Sequence, residues 1–397
     1  MLSLASNISS TQVVESKYSA IFDGSDDYID SNNTFKTTFN DSFSISVWVK
    51  IDDGQPSATK YICGSSNSSS QDEVFIKVTT DGKLSFTIKS NTDTGTRVSN
   101  SNVFVDNAND WKHIVCTATK GGSGDTALAI YVNGSEIVDG VDSTHSTYSS
   151  ILTVANHGNF DTDINISIGA LNNNGTRQGY FDGAIDEFAI FNTALDSDAV
   201  SSIYNSGSPL NLTFDQGNYD NSSALQAYYR MGNGLFDDKA NGVVYDQDNP
   251  GFGSDLITNG DFSNGFTGIS NSNATIVDGA AKIDNTGLGG ANAYVIFPSS
   301  GTIGVVGDVY KLMYDVIATN GQTLTIEGTP NNNLDTDTVG RDKVKYFRFS
   351  KSSGTLVIKR LNSGVDTNVT IDNIRFFKLN GKPSLTSGGV TFSSSTP

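Results

Sequence analysis

Three histidines, two cysteines and 43 acidic side chains are the residues of this 397-residue chain whose types could do chemistry. His113, His145 and His157 are scattered, with no paired histidines at zinc-binding spacing and no Ser/His/Asp order that neighbouring elements would bring together. His113 lies in a strand-like run and reads as a satisfied sheet residue. Cys63 and Cys116 could make at most one bridge, and each stands beside apolar strand-like residues, so they read as two buried free thiols. A metal site built on them would need His or Cys at short spacing, and none is there. Neither a phosphate-cradling Gly-rich loop ending in Lys-Ser/Thr nor a dinucleotide Gly-x-Gly-x-x-Gly turn is present. The acids outnumber 25 basic residues and leave a formal net charge of −18. Such a surface repels phosphate backbones, which excludes nucleic acid as a partner, and attracts divalent cations.

The elements that must position these residues are strands. Phe43 to Lys50 alternates Phe43, Ile45, Val47 and Val49 on one face with Ser44, Ser46, Trp48 and Lys50 on the other. Val74–Val78, Leu84–Ile88, His113–Ala118, Leu128–Val132 and Ile164–Ile168 repeat the period of two, and Asp81-Gly82 and Asn133-Gly134 fall between runs where a hairpin needs positive φ. One helix is expected after Ala194, from Leu195, Ala199, Val200 and Ile203, capped by Asp196 or Ser197 and stopped by Gly207-Ser208-Pro209. Residues 208–254 read as a Gly/Asn/Asp-rich connector whose cluster Leu225–Met231 docks as a strand on the first domain. A second series of strands occupies 255–380, with 11 basic and 12 acidic residues against 13 and 31 in residues 1–254, an asymmetry expected of two separately folded units. Residues 1–16 read as an N-terminal arm and 381–397 as a Ser/Thr/Gly-rich tail. The N-terminus has neither the basic nor the apolar region of a secretory signal, and no apolar run approaches the roughly 20 residues of a membrane span, so the expectation is a soluble all-β protein.

Ile21-Phe22-Asp23-Gly24 with Asp27-Tyr28-Ile29, Phe43–Lys50, Trp111–Val115, Leu128–Gly134, Ile166–Gly169 and Phe181–Phe191 with Ala194-Leu195 resemble, in order, the laminin-G-like domains of the concanavalin A-like jelly-roll superfamily, over about residues 17–207. The superfamily includes glycoside hydrolases, in which retaining hydrolysis needs two carboxylates about 5–5.5 Å apart. The related glucanases share a Glu-x-Asp-x-(x)-Glu strand; here Ala184-Ile185-Asp186-Glu187-Phe188 has Ala184 in place of the first acid and no second glutamate after it. In non-catalytic laminin-G-like modules an aspartate of this strand and the Phe-Asp-Gly segment commonly share a structural calcium. The resemblance therefore implies Asp23, Asp27 and Asp186 as calcium ligands, a role that suits hard carboxylate oxygens. The alternative is that Asp23 caps a turn and Asp186 is a solvated strand residue.

Leu256–Phe262, with Asn259-Gly260-Asp261-Phe262, and Val369–Phe376 bracket the second unit as the first and last strands of carbohydrate-binding, galactose-binding-like jelly rolls do. The resemblance implies a calcium site at Asp261 and Asp372; a turn role for Asp261 is equally open. Sugars are gripped by aromatic platforms and by amides and carboxylates. Trp48 and Trp111, the only tryptophans, fall in framework blocks and read as packing residues. Tyr294, Phe297, Tyr310 and Tyr314 are the aromatics of the second unit that could serve, or could equally be core.

A laminin-G-like domain, a Tyr228–Gly234 connector and an Asn-Gly-Asp-Phe jelly roll in that order resemble virion proteins of marine bacteriophages. The resemblance implies a non-enzymatic structural protein, a capsid decoration or fibre component. It would be assembled in the host cytoplasm, displayed on the virion surface, partnered by capsid or tail proteins and able to touch host glycans. An exported carbohydrate-binding adhesin is the alternative, and a polysaccharide-degrading enzyme is disfavoured by the missing carboxylate pair.

Overall fold

The computed structural model describes residues 16–67, 72–90, 93–107, 110–121, 125–137, 151–153, 160–235, 237–248, 252–327, 333–362, 364–379 and 384–397. His145, His157 and nearly all of the expected N-terminal arm lie outside the described residues. The chain is nearly all β and divides into two compact units, residues 1–250 with 381–397, and residues 251–380. Among the described residues, no helix is long and apolar enough to cross a membrane.

The first unit is a sandwich of two antiparallel-dominated sheets. One runs, in spatial order, through strands Asp125–Val132, Lys112–Lys120, Phe43–Ile51, Asp182–Phe191, Ser19–Asp23 and Thr391–Ser393, with Leu225–Tyr229 also on Asp182–Phe191. The other contains Val243–Val244, Ser384–Ser387, Tyr28–Asp30, Ser167–Ile168, Lys60–Asn67, Asp72–Val78, Leu84–Ser90 and Asp93–Val98. Alternation in Phe43–Ile51 does what the sequence predicts on its apolar side: Phe43, Ile45, Val47, Val49 and Ile51 all enter the core between the sheets. Cys63 and Cys116 join that core as free, buried thiols. Burial holds the Cys63 thiol up at about 12.

The opposite side of that strand is covered too, and Trp48 packs there as its framework position predicts. Ser44, Ser46 and Trp48 are buried as well, because residues 195–248 form a further layer over the sheet. The helix Ser197–Tyr204 starts that layer, capped by the Asp196 side chain accepting from the Ala199 N–H at 2.8 Å, and stops at Asn205 in the left-handed region. Ser44 anchors the segment leading into it, its hydroxyl donating to the Thr193 carbonyl and accepting the Leu195 N–H, both at 2.8 Å. The supposed connector is thus part of the first unit's fold, with Tyr219, Leu225 and Tyr228 in its core. Of Ile164–Ile168, only Ser167 and Ile168 pair as strand.

The C-terminal segment, read as a tail, is built into the first unit. Ser384–Ser387 pairs with Tyr28-Ile29 and Val243-Val244, and Thr391–Ser393 with Ser19–Ile21, so the chain returns to the first unit after completing the second.

The second unit packs a six-stranded sheet on a four-stranded one around its own core. Its ends meet: Phe252–Asp255 pairs with the last strand, Asn368–Leu379, three residues before the expected boundary at 255. Gly260 of the Asn-Gly-Asp-Phe segment is required by close approach, since a Cβ there would stand 1.9 Å from the Ile374 carbonyl oxygen. The four-stranded sheet, in the order Ser270–Ser272, Tyr294–Phe297, Leu356–Arg360 and Leu324–Ile326, turns Val295, Phe297, Leu356 and Ile358 inward.

Candidate functional site

Asp186 and Glu187, the acids of the strand compared with glucanases, sit where that strand bulges. Pairing with Phe43–Ile51 shifts register between Asp186 and Ala189, and Glu187 adopts a φ of 47°. Both are interior, at 0% and 2% exposure. The Ser16 hydroxyl donates to Asp186 Oδ2 at 2.6 Å, while Asp186 Oδ1 accepts the Glu187 N–H at 2.8 Å. Glu187 accepts from the Tyr228 hydroxyl and, at 3.2 Å, from Arg230 Nε, both from the covering layer. Burial pushes the Asp186 carboxyl well above the usual range and raises Glu187 too, the latter against the opposing pull of the Arg230 guanidinium. Two enclosed acids satisfied by protein partners have no face left for a glycosidic bond.

The structure does not bring Asp186 to Asp23 and Asp27. Asp23 stands opposite Asp182 across the sheet, so Asp186 lies four residues, about 13 Å, further along the strand. Asp186 is also not a solvated strand residue. What gathers near the start is Asp23, Asp26 and Asp27, whose ligand atoms lie within 4.8 Å of one another. Asp27 is buried, and its carboxylate accepts the Asp23 N–H at 2.9 Å and the Gly389 N–H from the returning C-terminal segment. Burial raises its pKa, with Asp23 and Asp26 adding to the rise. Asp23 Oδ1 accepts the Ser25 N–H at 2.9 Å and so also caps its turn. Gly388, at φ +83°, has no room for a Cβ, which would meet the Asp26 carbonyl oxygen at 2.5 Å. Asp26 escaped the sequence reading, although the run Asp23-Gly24-Ser25-Asp26-Asp27 carries it.

In the second unit, Asp261 Oδ1 accepts both the N–H and the hydroxyl of Ser263, at 3.2 and 3.0 Å, the expected turn role. Asp372 accepts the Asn373 N–H, and burial raises its pKa, with Asp315 and then Asp261 adding to it. The buried Asp315, paired with Asp372 in register, is the member that sequence reading missed. It is held by the Asp342 N–H at 2.7 Å and the Asn373 side-chain amide at 2.8 Å. These three carboxylates share a field without closing to the spacing of the Asp23 cluster.

The aromatic candidates separate cleanly. Phe297, Tyr310 and Tyr314 are core residues, and Trp48 is packed against His113 and Tyr204 at centroid distances of 4.9 and 5.8 Å. The His113 imidazole, bonded through Nε2 to the Ser46 hydroxyl at 2.9 Å, is pushed by burial down to about 3. Tyr294 alone of the four second-unit aromatics faces outward, half-buried, beside a cavity of about 360 Å³ on the outer face of the four-stranded sheet. Alternation builds this face: Tyr294 pairs with Lys359, and Ile296 with Val357, so an aromatic ring and two aliphatic side chains make a floor under polar groups. Glu327, Lys359, Asn292 and Arg360 supply those groups. Glu327 is shared between Lys351 and Lys359, the latter at 2.9 Å, and both lysines hold its carboxyl below the usual range. Size, a mixed apolar floor and convergent polar groups are the features of a small-molecule site.

Residues 23–201 match the family model described as the concanavalin A-like lectin/glucanases superfamily. That stretch has the concanavalin A-like jelly-roll fold. No curated protein matches the chain. Among solved structures it is similar to a Bacteroides ovatus protein provisionally described as carbohydrate-binding, at 15% identity and a TM-score of 0.38, covering 58% of this chain and 55% of that one. The chain therefore spans about half the length of that protein. It is also similar to the CBM40 of the Ruminococcus gnavus IT-sialidase bound to α2,3-sialyllactose, at 15% identity, a TM-score of 0.32 and coverages of 45% and 91%. The full-length tailspike protein 2 of the Escherichia coli O157:H7 bacteriophage CAB120 shows 13% identity, a TM-score of 0.34 and coverages of 54% and 30%.

Proposed function

We propose that the chain is a non-enzymatic glycan-binding protein that uses the outer face of the second unit's four-stranded sheet. The observation that carries this is the cavity beside Tyr294, where a half-buried ring, the Ile296–Val357 floor and the side chains of Asn292, Glu327 and Lys359 converge. A pyranose offers C–H faces to the ring and hydroxyls to the polar groups. The enclosure of Asp186 and Glu187 supports the non-enzymatic part, because retaining hydrolysis requires both carboxylates to touch the sugar.

Display on a virion surface, as a decoration or fibre component next to capsid or tail proteins, is the setting proposed for this binding. Its supports are the order of modules in the sequence and the concentration of negative charge in residues 1–254. A structural calcium is proposed at Asp23, Asp26 and Asp27, which supply carboxylate oxygens at compatible spacing but, with Asp27 already holding two N–H groups, need carbonyl or water oxygens to complete a shell.

A glycan array probed with the full chain, alongside an assay for newly released reducing ends, tests the reading. Binding without release is expected; release of reducing ends, or no binding to any glycan, overturns it. Detection of the chain in purified particles by mass spectrometry tests the setting separately.

A further inference from the structure

Arg360 ends the strand Leu356–Arg360 at the rim of the cavity and is 7% exposed. Its Nη1 donates to the Asn362 carbonyl at 2.6 Å, and its Nη2 to the Gly290 carbonyl and, at 3.4 Å, to Asn292 Oδ1. Its Nε is buried without a partner. Every acceptor it has is neutral, and among the described residues no carboxylate stands within ion-pair distance of it. A buried guanidinium is ordinarily matched by a counter-charge, and its planar fork suits carboxylate and sulfate oxygens. Around the cavity the imbalance continues: Glu327, the carboxylate that lines it, is already divided between Lys351 and Lys359. Three cations therefore answer to one anion, in a protein whose net charge is −18.

We infer that the cavity selects saccharides carrying an anionic group, a carboxylate or a sulfate ester, which would sit toward Lys359 and Arg360 while the ring packs on Tyr294. The inference rests on the glycan-binding reading above and adds the class of ligand. Neutral sugars can use the same floor, but they leave the excess positive charge unanswered. Lowering the Glu327 charge should strengthen attraction, the opposite of what its loss would do if it accepted hydrogen bonds from sugar hydroxyls.

The test is calorimetric titration of the full chain with matched oligosaccharides of three kinds, uronate, sulfated galactan and neutral galactan, at low and high salt. At least one anionic series is expected to bind about tenfold or more tighter than the neutral one. That gap should shrink as salt screens it. Lys351→Ala and Lys359→Ala should each weaken anionic binding several-fold with an unchanged melting temperature, and Glu327→Gln should tighten it. The two anionic series separate carboxylate from sulfate as the group recognised. Equal affinity for neutral and anionic sugars, or weaker anionic binding by Glu327→Gln, overturns this inference and leaves glycan binding standing. Failure of all three series overturns both. Anionic binding that Tyr294→Ala leaves unchanged is exchange at a charged surface and overturns the assignment to this cavity.

Discussion

Arg230 donates through Nε to Glu187 at 3.2 Å, joining the covering layer of the first unit to the bulge of its closing strand. The Glu187 side chain is 3% exposed and that of Arg230 13%, so the pair is shielded from solvent. Removing one partner of such a pair leaves a buried charge unanswered. Arg230→Ala is expected to lower unfolding stability by about 3–5 kcal/mol. Urea denaturation followed by tryptophan fluorescence measures it; a loss below about 1 kcal/mol would show that the layer is held mainly by its apolar contacts.

Half-buried Asp237 and buried His113 give opposite pH dependences. Asp237 accepts the N–H groups of Gly232, Gly234 and Tyr245, yet burial raises its pKa from 3.8 to about 6. Between these values the folded chain keeps a proton that the unfolded chain has released, so this group's contribution falls as pH rises from about 4 to 6. His113 is depressed from 6.5 to about 3, so the unfolded chain gains a proton there that the folded chain refuses, and stability falls as pH drops below about 6.5. His113→Phe should therefore flatten the acid side of the stability profile between pH 6.5 and 4, and Asp237→Asn should remove the opposing slope. Melting curves across that range check both, and an unchanged profile in either variant contradicts the assignment for that residue.

How far the sequence reveals this architecture depends on where the signal lies. Phe43–Ile51 is legible because a period of two over nine residues has one structural solution, and the Asp196 cap because its side chain sits one position before the helix. Burial of Ser44 and Ser46 is not, since it depends on the layer formed by residues 195–248, and the Gly, Asn and Asp content of 208–248 looks like a linker while a few residues such as Tyr219 and Tyr228 do the packing. The pairing of Asp186 with Asp23 fails for a related reason: strand register, which a motif does not encode, places Asp182 opposite Asp23. Tyr294 and Phe297 could not be ranked from composition, because adjacent aromatics on one strand exchange roles with a one-residue change of face.

The returning segment 384–397 supplies strands to both sheets of the first unit and the Gly389 N–H to Asp27. A chain ending at residue 380 should lose these pairings while the second unit keeps its own closing strand. Differential scanning calorimetry is expected to show the first unit's transition lowered by about 5 °C or more and the second's unchanged. An unshifted first transition would mean the segment contributes nothing to that unit's stability.

Calcium should raise the melting temperature of the full chain, and chelation with EDTA should reverse the rise, because a cation relieves the mutual repulsion of Asp23, Asp26 and Asp27. Asp26→Asn, an exposed position, is expected to reduce the calcium response without lowering stability in EDTA. A melting temperature indifferent to both calcium and chelator would remove this cluster as a cation site.

Tyr294 is proposed as the platform of a glycan site on the second unit. Calorimetric titration of wild type and Tyr294→Ala with the best array ligand tests it most directly. Wild type is expected to bind and the variant to lose at least tenfold, about 1.4 kcal/mol, with the melting temperature of the second unit preserved. Equal affinities in the two proteins would contradict it.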